Sequence, residues 1–346
     1  PSVLERAKGG SGAGGRGGRG SPPCAPAEPQ GLSLAREDSY SQLFARAARD
    51  DGAPGEEFRD HYELLGEGPL AEGTFGLVWR CRPRLPDAAS GGREWAAKIV
   101  HKAQLQARSA GTPLSPSGEV QLHMALKHPH IVGLLEYFDE SHTLTLVLEY
   151  CRGGDLFDAI MAEASRRQFR GGLGEPAAAT VALHLLRALA YLHGKCVVHR
   201  DLKCENVLLE REGVPLEENC FKICDFGFAA FERGLGLRDQ VGSPDTVAPE
   251  VVAGKTYSFP ADLWSTGVVL YMALSADSPF RAQTDDKVLQ RVLAGQYSLA
   301  GGPWQAVPER PKRLVASLMS VSPLLRPTAQ QALQSEWLRG LDARGP

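Results

Sequence analysis

Two short apolar triplets, Cys196-Val197-Val198 and Val207-Leu208-Leu209, bracket eight residues dense in charge: His199-Arg200-Asp201-Leu202-Lys203-Cys204-Glu205-Asn206. Runs of β-branched and aliphatic residues read as strands. Strands this close hold the loop between them in a fixed relation. One carboxylate (Asp201), one ammonium (Lys203) and one amide (Asn206) are thereby kept together. A surface turn has no need of such a set. Phosphoryl transfer does: it takes a carboxylate to orient the attacking hydroxyl, a cation against the phosphate oxygens, and an oxygen ligand for Mg²⁺. Taken alone the octet is also compatible with a chance charged loop, so the spacing of chemistry along the rest of the chain decides.

Upstream, Tyr62-Glu63-Leu64-Leu65 reads as a strand, and Leu70 to Trp79 as a strand, a Gly-bearing turn and a second strand. Glycine lets backbone approach phosphates with no Cβ in the way. In the frame that ends at Val78, the turn presents Ala71, Gly73 and Gly76; such a hairpin is also an ordinary β-turn. Glu94 to Val100 is an alternating strand with Lys98 among apolar neighbours, 22 residues after Gly76. After a Ser, Pro and Gly-rich loop over 110–118, helical spacing begins, with Glu119 opening the helix. Lys98 is either a solvated strand residue or an ion-pair partner for Glu119. Leu144 to Cys151 is a buried strand, and Gly153-Gly154 a hinge beyond which helices dominate. Leu183 to His193 is an amphipathic helix leading into the octet.

Downstream, Phe221 to Cys224 reads as a strand followed by Asp225-Phe226-Gly227, with Asp225 24 residues after Asp201. Then come Ala248-Pro249-Glu250, Asp262-Leu263-Trp264 and Arg326-Pro327.

Size and composition bound the classes. The 346 residues, 43% hydrophobic, suffice for one large domain or two lobes around a cleft. A net charge of -3 gives no basic field, so no nucleic-acid partner is expected. None of the seven cysteines forms a C-x-x-C pair, so their spacing indicates neither a zinc site nor a disulfide framework. A reduced compartment, cytoplasmic or nuclear, is the expectation, with no membrane span. Residues 1–57 are a Gly/Pro/Arg-rich segment expected to be disordered, with a short helix at Leu32 to Arg49. The chain begins with Pro1 rather than Met, so a native N-terminus and any targeting signal on it are expected to be missing.

Eight features stand in one order: the Gly-bearing hairpin, Lys98, Glu119, the 199–206 octet, Asp225-Phe226-Gly227, Ala248-Pro249-Glu250, Asp262 and Arg326. Together they resemble the eukaryotic protein kinase family, over about residues 62 to 339. The resemblance implies an α+β, two-lobed fold, with a small antiparallel-sheet lobe carrying one helix and a larger, mainly helical lobe. The catalytic domain is expected over 58–339, its small lobe at about 58–149 and its large lobe at about 155–339, with a tail at 340–346. Residue by residue, it implies that Asp201 orients the substrate hydroxyl and Lys203 contacts the transferring phosphate. Asn206 and Asp225 hold Mg²⁺, and Lys98, paired with Glu119, holds the α- and β-phosphates of ATP. The adenine edge meets the Glu149 carbonyl and the Cys151 amide, with Leu148 behind. Val78, Ala96 and Leu208 sandwich the ring, and Ala71, Gly73, Gly76 and Asp155 complete the nucleotide site. Glu250 with Arg326, and Asp262, are implied to be structural.

Lys203 and Gly242-Ser243-Pro244 are similar to the serine/threonine branch, and the overall style resembles the calcium/calmodulin-dependent and energy-sensing groups. Protein substrates and a monomer are expected. Asp155 and Glu205 match positions that contact substrate arginines in basic-directed members. The alternatives are a kinase-shaped interaction scaffold, disfavoured by the presence of Lys98, Asp201, Asn206 and Asp225, and a small-molecule kinase, disfavoured by the Ala248-Pro249-Glu250 segment.

Three departures stand out. Ala71 replaces a family glycine. His123, four residues after Glu119, stands where a Leu or Met is usual, and is either a satisfied core histidine or a pH-sensitive contact of Phe226. From Phe228 to Gly242 there is no Ser, Thr or Tyr, and the usual phosphorylation position is Asp239. Asp239 is either a solvated loop residue or a permanent anion for Arg200. Phosphorylation of Ser243 or Thr246 is expected to inhibit.

Overall fold

The computed structural model describes residues 58–73, 76–85, 93–102, 116–168 and 170–342. The 1–57 segment with its expected helix, and residues 343–346, lie outside them.

The small lobe is an antiparallel sheet. It contains β1 (Tyr62–Leu65), β2 (Ala71–Gly73), β3 (Gly76–Pro83), β4 (Trp95–His101), β5 (Leu134–Asp139) and β6 (Thr143–Glu149). The order is β1-β3-β4-β6-β5, with β2 paired to β3. The period of two builds both faces. Leu144 and Leu146 of β6 pack with Val120 on the side of the helix α2 (Pro116–Met124), while Val147, opposite Ala97, joins Cys81, Tyr62 and Phe138 on the other. The short helix α1 (Phe58–His61) covers that second face, Phe58 stacking on Tyr62 at 5.4 Å. Contrary to expectation, Glu119 does not open α2: the helix begins at Pro116 and ends at Met124. Proline has no N–H to satisfy and is favoured in a first turn, so part of the Pro/Ser-rich stretch belongs to the helix.

The large lobe begins with α3 (Leu156–Arg166) and α4 (Glu175–Gly194). It continues after the central loop with α5 (Pro249–Val252), α6 (Pro260–Ser275), α7 (Asp285–Ala294), α8 (Glu309–Leu318), α9 (Ala329–Leu333) and α10 (Glu336–Asp342). Helix α6 is apolar nearly all round and is buried accordingly, with α4 and α8 against it. Helix α4 is longer than the expected Leu183 to His193 because its first turns present alanines (Ala177, Ala178, Ala179) to the core.

Four short strands lie between α4 and α5: β7 (Val197–Val198), β8 (Val207–Leu209), β9 (Phe221–Ile223) and β10 (Ala230–Phe231). The two triplets flanking the octet do not pair with each other. β7 pairs β10 and β8 pairs β9. Because β9 and β10 flank Asp225-Phe226-Gly227, these two ladders set that turn beside the octet.

Backbone hydrogen bonds join the lobes at two seams among the described residues. Gly153 N–H donates to the Leu209 carbonyl at 2.9 Å, and Leu209 N–H to the Gly154 carbonyl at 2.9 Å. A Cβ on Gly153 would stand 2.6 Å from both Leu209 Cβ and the Arg211 carbonyl, and Gly154 has φ +74°. The Gly pair is thus required by close packing on β8 as well as by its turn. At the second seam, Ile131 bridges Ile223, and Val132 and Ile223 N–H groups donate to the Ile223 and His130 carbonyls.

Candidate active site

The central loop hangs from one buried carboxylate. Asp262 Oδ1 accepts from Arg200 N–H and Oδ2 from His199 N–H, both at 2.9 Å, and His193 Nε2 is 2.9 Å from Oδ2. Burial alone would raise this carboxyl, but its hydrogen bonds and the charge of His193 hold it below the usual range. Arg200 (φ +72°) and Asp225 (φ +60°) are both in the left-handed region. Non-glycine residues held there cost about 1–3 kcal/mol each and cluster at functional sites.

Asp201, 4% exposed, is saturated on both oxygens. Oδ1 accepts the Ser243 backbone N–H (3.0 Å) and hydroxyl (2.8 Å). Oδ2 accepts Asn206 Nδ2–H (3.1 Å) and pairs with Lys203 Nζ at 3.4 Å. Lys203 also donates to Ser243 Oγ at 3.1 Å. Asn206 Nδ2 donates again to the Asp201 carbonyl at 2.8 Å. That commits the amide nitrogen and leaves Oδ1 as the acceptor.

Asp225 Oδ1 pairs with Lys98 Nζ at 2.7 Å and accepts Gly227 N–H at 3.3 Å. Burial works against its charge, but Lys98 and these hydrogen bonds keep its carboxyl below the usual value. The Asn206 carbonyl accepts Cys224 N–H at 3.0 Å, so the β8–β9 ladder sets Asn206 beside Asp225. An amide oxygen and an ionised carboxylate are hard oxygen donors of the kind Mg²⁺ takes, and the donor set fits that ion. Glu119 lies within α2, while its side chain, and hence the expected pair with Lys98, is outside the described residues.

Above the cleft, β2 and β3 pair Ala71 with Val78 and Gly73 with Gly76. A Cβ on Gly76 would stand 2.0 Å from the Ile99 carbonyl, so contact with β4 by itself demands glycine there. Val78 opposes Lys98, and Ala96 opposes Leu148. The Glu149 carboxylate turns to Lys222 Nζ at 2.7 Å, a partner that sequence reasoning missed; Lys222 reads there only as one lysine within a strand. Burial pushes the Cys151 thiol up to about 12 and raises that of Cys224, so both are poor nucleophiles at neutral pH. Asp155 forms a bridge to Leu208, and its Oδ1 caps α3 by accepting Asp158 N–H at 2.9 Å. Desolvation raises its carboxyl above the usual range. Glu205 is exposed.

Phe226 packs between His199 (ring centroids 5.1 Å apart) and His123 (4.6 Å). His123 is 3% exposed and its Nε2–H donates to the Val132 carbonyl at 2.8 Å. Burial lowers its pKa to about 4. Arg200 Nη1 donates to Asp239 Oδ2 at 3.0 Å and to Tyr257 Oη at 3.2 Å, and Tyr257 O–H donates to the Asp239 carbonyl at 2.7 Å. Farther off, Arg326 makes a bidentate pair with Glu250, both bonds 2.7 Å.

The protein kinase domain family matches residues 65–338. The mouse serine/threonine-protein kinase DCLK3 is 32% identical over 295 residues, covering 85% of this chain and 35% of that protein. The Arabidopsis calcium-dependent protein kinase 25 is 33% identical over 282 residues, 81% of this chain and 51% of its own length. The rat ribosomal protein S6 kinase alpha-1 is 36% identical over 293 residues, 82% and 36% respectively. The chain thus spans about a third to a half of these relatives' lengths. Among the described residues no helix is long and apolar enough to cross a membrane.

Proposed function

The chain belongs to the eukaryotic serine/threonine protein kinase family, and we propose that it transfers the γ-phosphate of ATP to serine and threonine hydroxyls of protein substrates. One observation carries this reading: Asp201, Lys203 and Asn206 form a single hydrogen-bonded cluster, with the Lys98–Asp225 pair beside it.

Asp201 orients the attacking hydroxyl. The Ser243 hydroxyl, held between Asp201 and Lys203, marks where such a group is received. Lys203 faces the transferring phosphate, and Lys98 the α- and β-phosphates. Asn206 and Asp225 would hold Mg²⁺, which when bound neutralises phosphate oxygens. The hairpin carrying Ala71, Gly73 and Gly76 covers the phosphates. Val78, Ala96 and Leu208 enclose the adenine, whose edge meets the Glu149 carbonyl and Cys151 amide. The rate then comes from positioning and charge stabilisation rather than covalent catalysis.

Within this reading Asp239 serves as a permanent anion for Arg200. It engages Nη1, and Arg200 Nη2 is buried with no hydrogen-bond partner among the described residues. A carboxylate with one charge makes a weaker clamp than a phosphate with nearly two, but it needs no upstream enzyme. Glu205, exposed beside the cluster, and Asp155 at the start of α3 supply the negative charge for arginines two or three residues before the target.

The test is phosphate transfer from radiolabelled ATP and Mg²⁺ to Arg-containing Ser/Thr peptides. Bacterially expressed protein, shown by mass to be unphosphorylated, is compared with Asp201→Asn. Transfer by the parent alone is expected. Equal labelling by the two would refute the assignment of Asp201, and a peptide library without basic preference would refute the roles of Asp155 and Glu205.

A further inference from the structure

Away from the cleft, three side chains of metal-ligand type converge from three elements: His130 before β5, His184 of α4, and Cys220 leading into β9. One ligand atom from each lies within 4.8 Å of the other two. Cys220 Sγ is 3.5 Å from His130 Nδ1. In a tetrahedral zinc site, with bonds of about 2.3 Å to sulfur and about 2.0 Å to nitrogen, those two ligands stand about 3.5 Å apart. The His130 and His184 rings stack at 3.8 Å. Both are held by the backbone of one residue: Phe221 N–H donates to His184 Nδ1, and His130 Nδ1–H donates to the Phe221 carbonyl, each at 3.2 Å. None of the three residues has a place in the phosphoryl-transfer chemistry.

We propose that His130, His184 and Cys220 form a binding site for one Zn²⁺, its fourth position open to water. Desolvation lowers His130 to about 4 and His184 to about 3, so both rings are neutral at pH 7. On binding, the His130 Nδ1 proton, which faces the Phe221 carbonyl, moves through solvent to Nε2, and His184 Nδ1 releases Phe221 N–H, so that each ring offers a lone pair. Cys220 gives its thiol proton to solvent as the S–Zn bond forms, and the ion sheds waters; no electron moves. Two nearly parallel rings cannot both aim at one ion, so the half-buried His184 ring turns out of the stack on binding. The cations facing the cluster are Arg187 and Lys222, and Lys222 is neutralised by Glu149 and Glu210 at 2.7 and 3.1 Å. The His128 ring lies 5.4 Å from His130, and desolvation lowers its pKa from the ordinary value. A bound ion ties the turn after α2 to α4 and to β9, the strand that runs into Asp225.

The probe is Co²⁺ added to chelator-stripped full chain, followed by Zn²⁺. One equivalent is expected to give a tetrahedral visible spectrum with a thiolate-to-Co²⁺ charge-transfer band, bleached by Zn²⁺. Cys220→Ser loses that band, and His184→Gln weakens binding at least about tenfold. An octahedral spectrum with no charge-transfer band overturns the proposal, since oxygen ligands such as Asn206 and Asp225 produce that. A band that survives Cys220→Ser also overturns it. Alkylation of the unsubstituted chain, mapped by mass, is independent of any variant's folding: Zn²⁺ is expected to protect Cys220, and undiminished labelling of Cys220 at saturating Zn²⁺ overturns the proposal.

Discussion

Asp239 and His123, two of the positions at which the sequence departs from the family pattern, both make contacts at the site. Asp239 meets Arg200 at 3.0 Å. The unphosphorylated protein is therefore expected to be active. Asp239→Ala, which leaves the Arg200 guanidinium without its carboxylate, is expected to cut kcat about tenfold, as loss of one partly buried charge-assisted contact implies. Equal steady-state rates for parent and variant would return Asp239 to the role of a solvated loop residue. His123 packs on Phe226 with its ring tilted, but burial keeps it neutral to about pH 4, so near neutrality it is a core residue rather than a switch. The sign follows from linkage. The folded pKa of about 4 lies below the ordinary 6.5, so this contribution is complete above pH 6.5 and is lost as pH falls toward 4. His123→Leu is expected to spare about 2 kcal/mol of the stability the parent loses between pH 7.5 and 5. Urea unfolding at both pH values measures it, and parallel losses in the two proteins would refute it.

At the level of elements, the position of a glycine decides what it does. Gly153 and Gly154 are adjacent in sequence and opposite in constraint. A Cβ at Gly153 collides with β8, whereas one at Gly154 meets open space at φ +74°. Gly154→Ala is expected to cost about 1 kcal/mol of backbone strain. Gly153→Ala, which must push Leu209 and the neighbouring backbone apart, is expected to cost about 2–3 kcal/mol and to weaken ATP binding through Leu208. Thermal melts of the two variants rank them, and the reverse order would show that the seam yields easily. The apolar triplets around the octet were legible as strands, but not their partners. Antiparallel pairing depends on which segment returns alongside, and both partners come from beyond the octet. The start of α2 was misplaced for a related reason: proline and serine mark loops and helix first turns alike.

For the molecule as a whole, the Glu250–Arg326 pair joins segments 76 residues apart. Both side chains are almost wholly inside, and Arg326 lies over Trp264 at 5.1 Å. Removing one partner strands a buried charge, at about 3–5 kcal/mol. Arg326→Met is expected to lose that much stability, while Arg326→Met with Glu250→Gln recovers part of it. A double-mutant cycle by denaturant unfolding checks this, and additive losses would show that the two side chains do not act as a pair.

The order and chemical type of the groups in the proposed site were determined by the sequence alone, because the proposed phosphoryl transfer needs particular functional groups and short loops hold them at readable spacings. Asp201, Lys203 and Asn206 lie within six residues, so local backbone suffices to gather them. Tertiary structure alone decided the contacts that close over long loops. These include Lys98 on Asp225 (127 residues apart), Lys222 on Glu149 (73), Ser243 on Asp201 (42), and His130 against Cys220 (90). Such pairs obey no sequence period. They exist only because the sheet, the helices and one buried carboxylate, Asp262, bring distant backbone within hydrogen-bond reach and exclude the water that would otherwise compete.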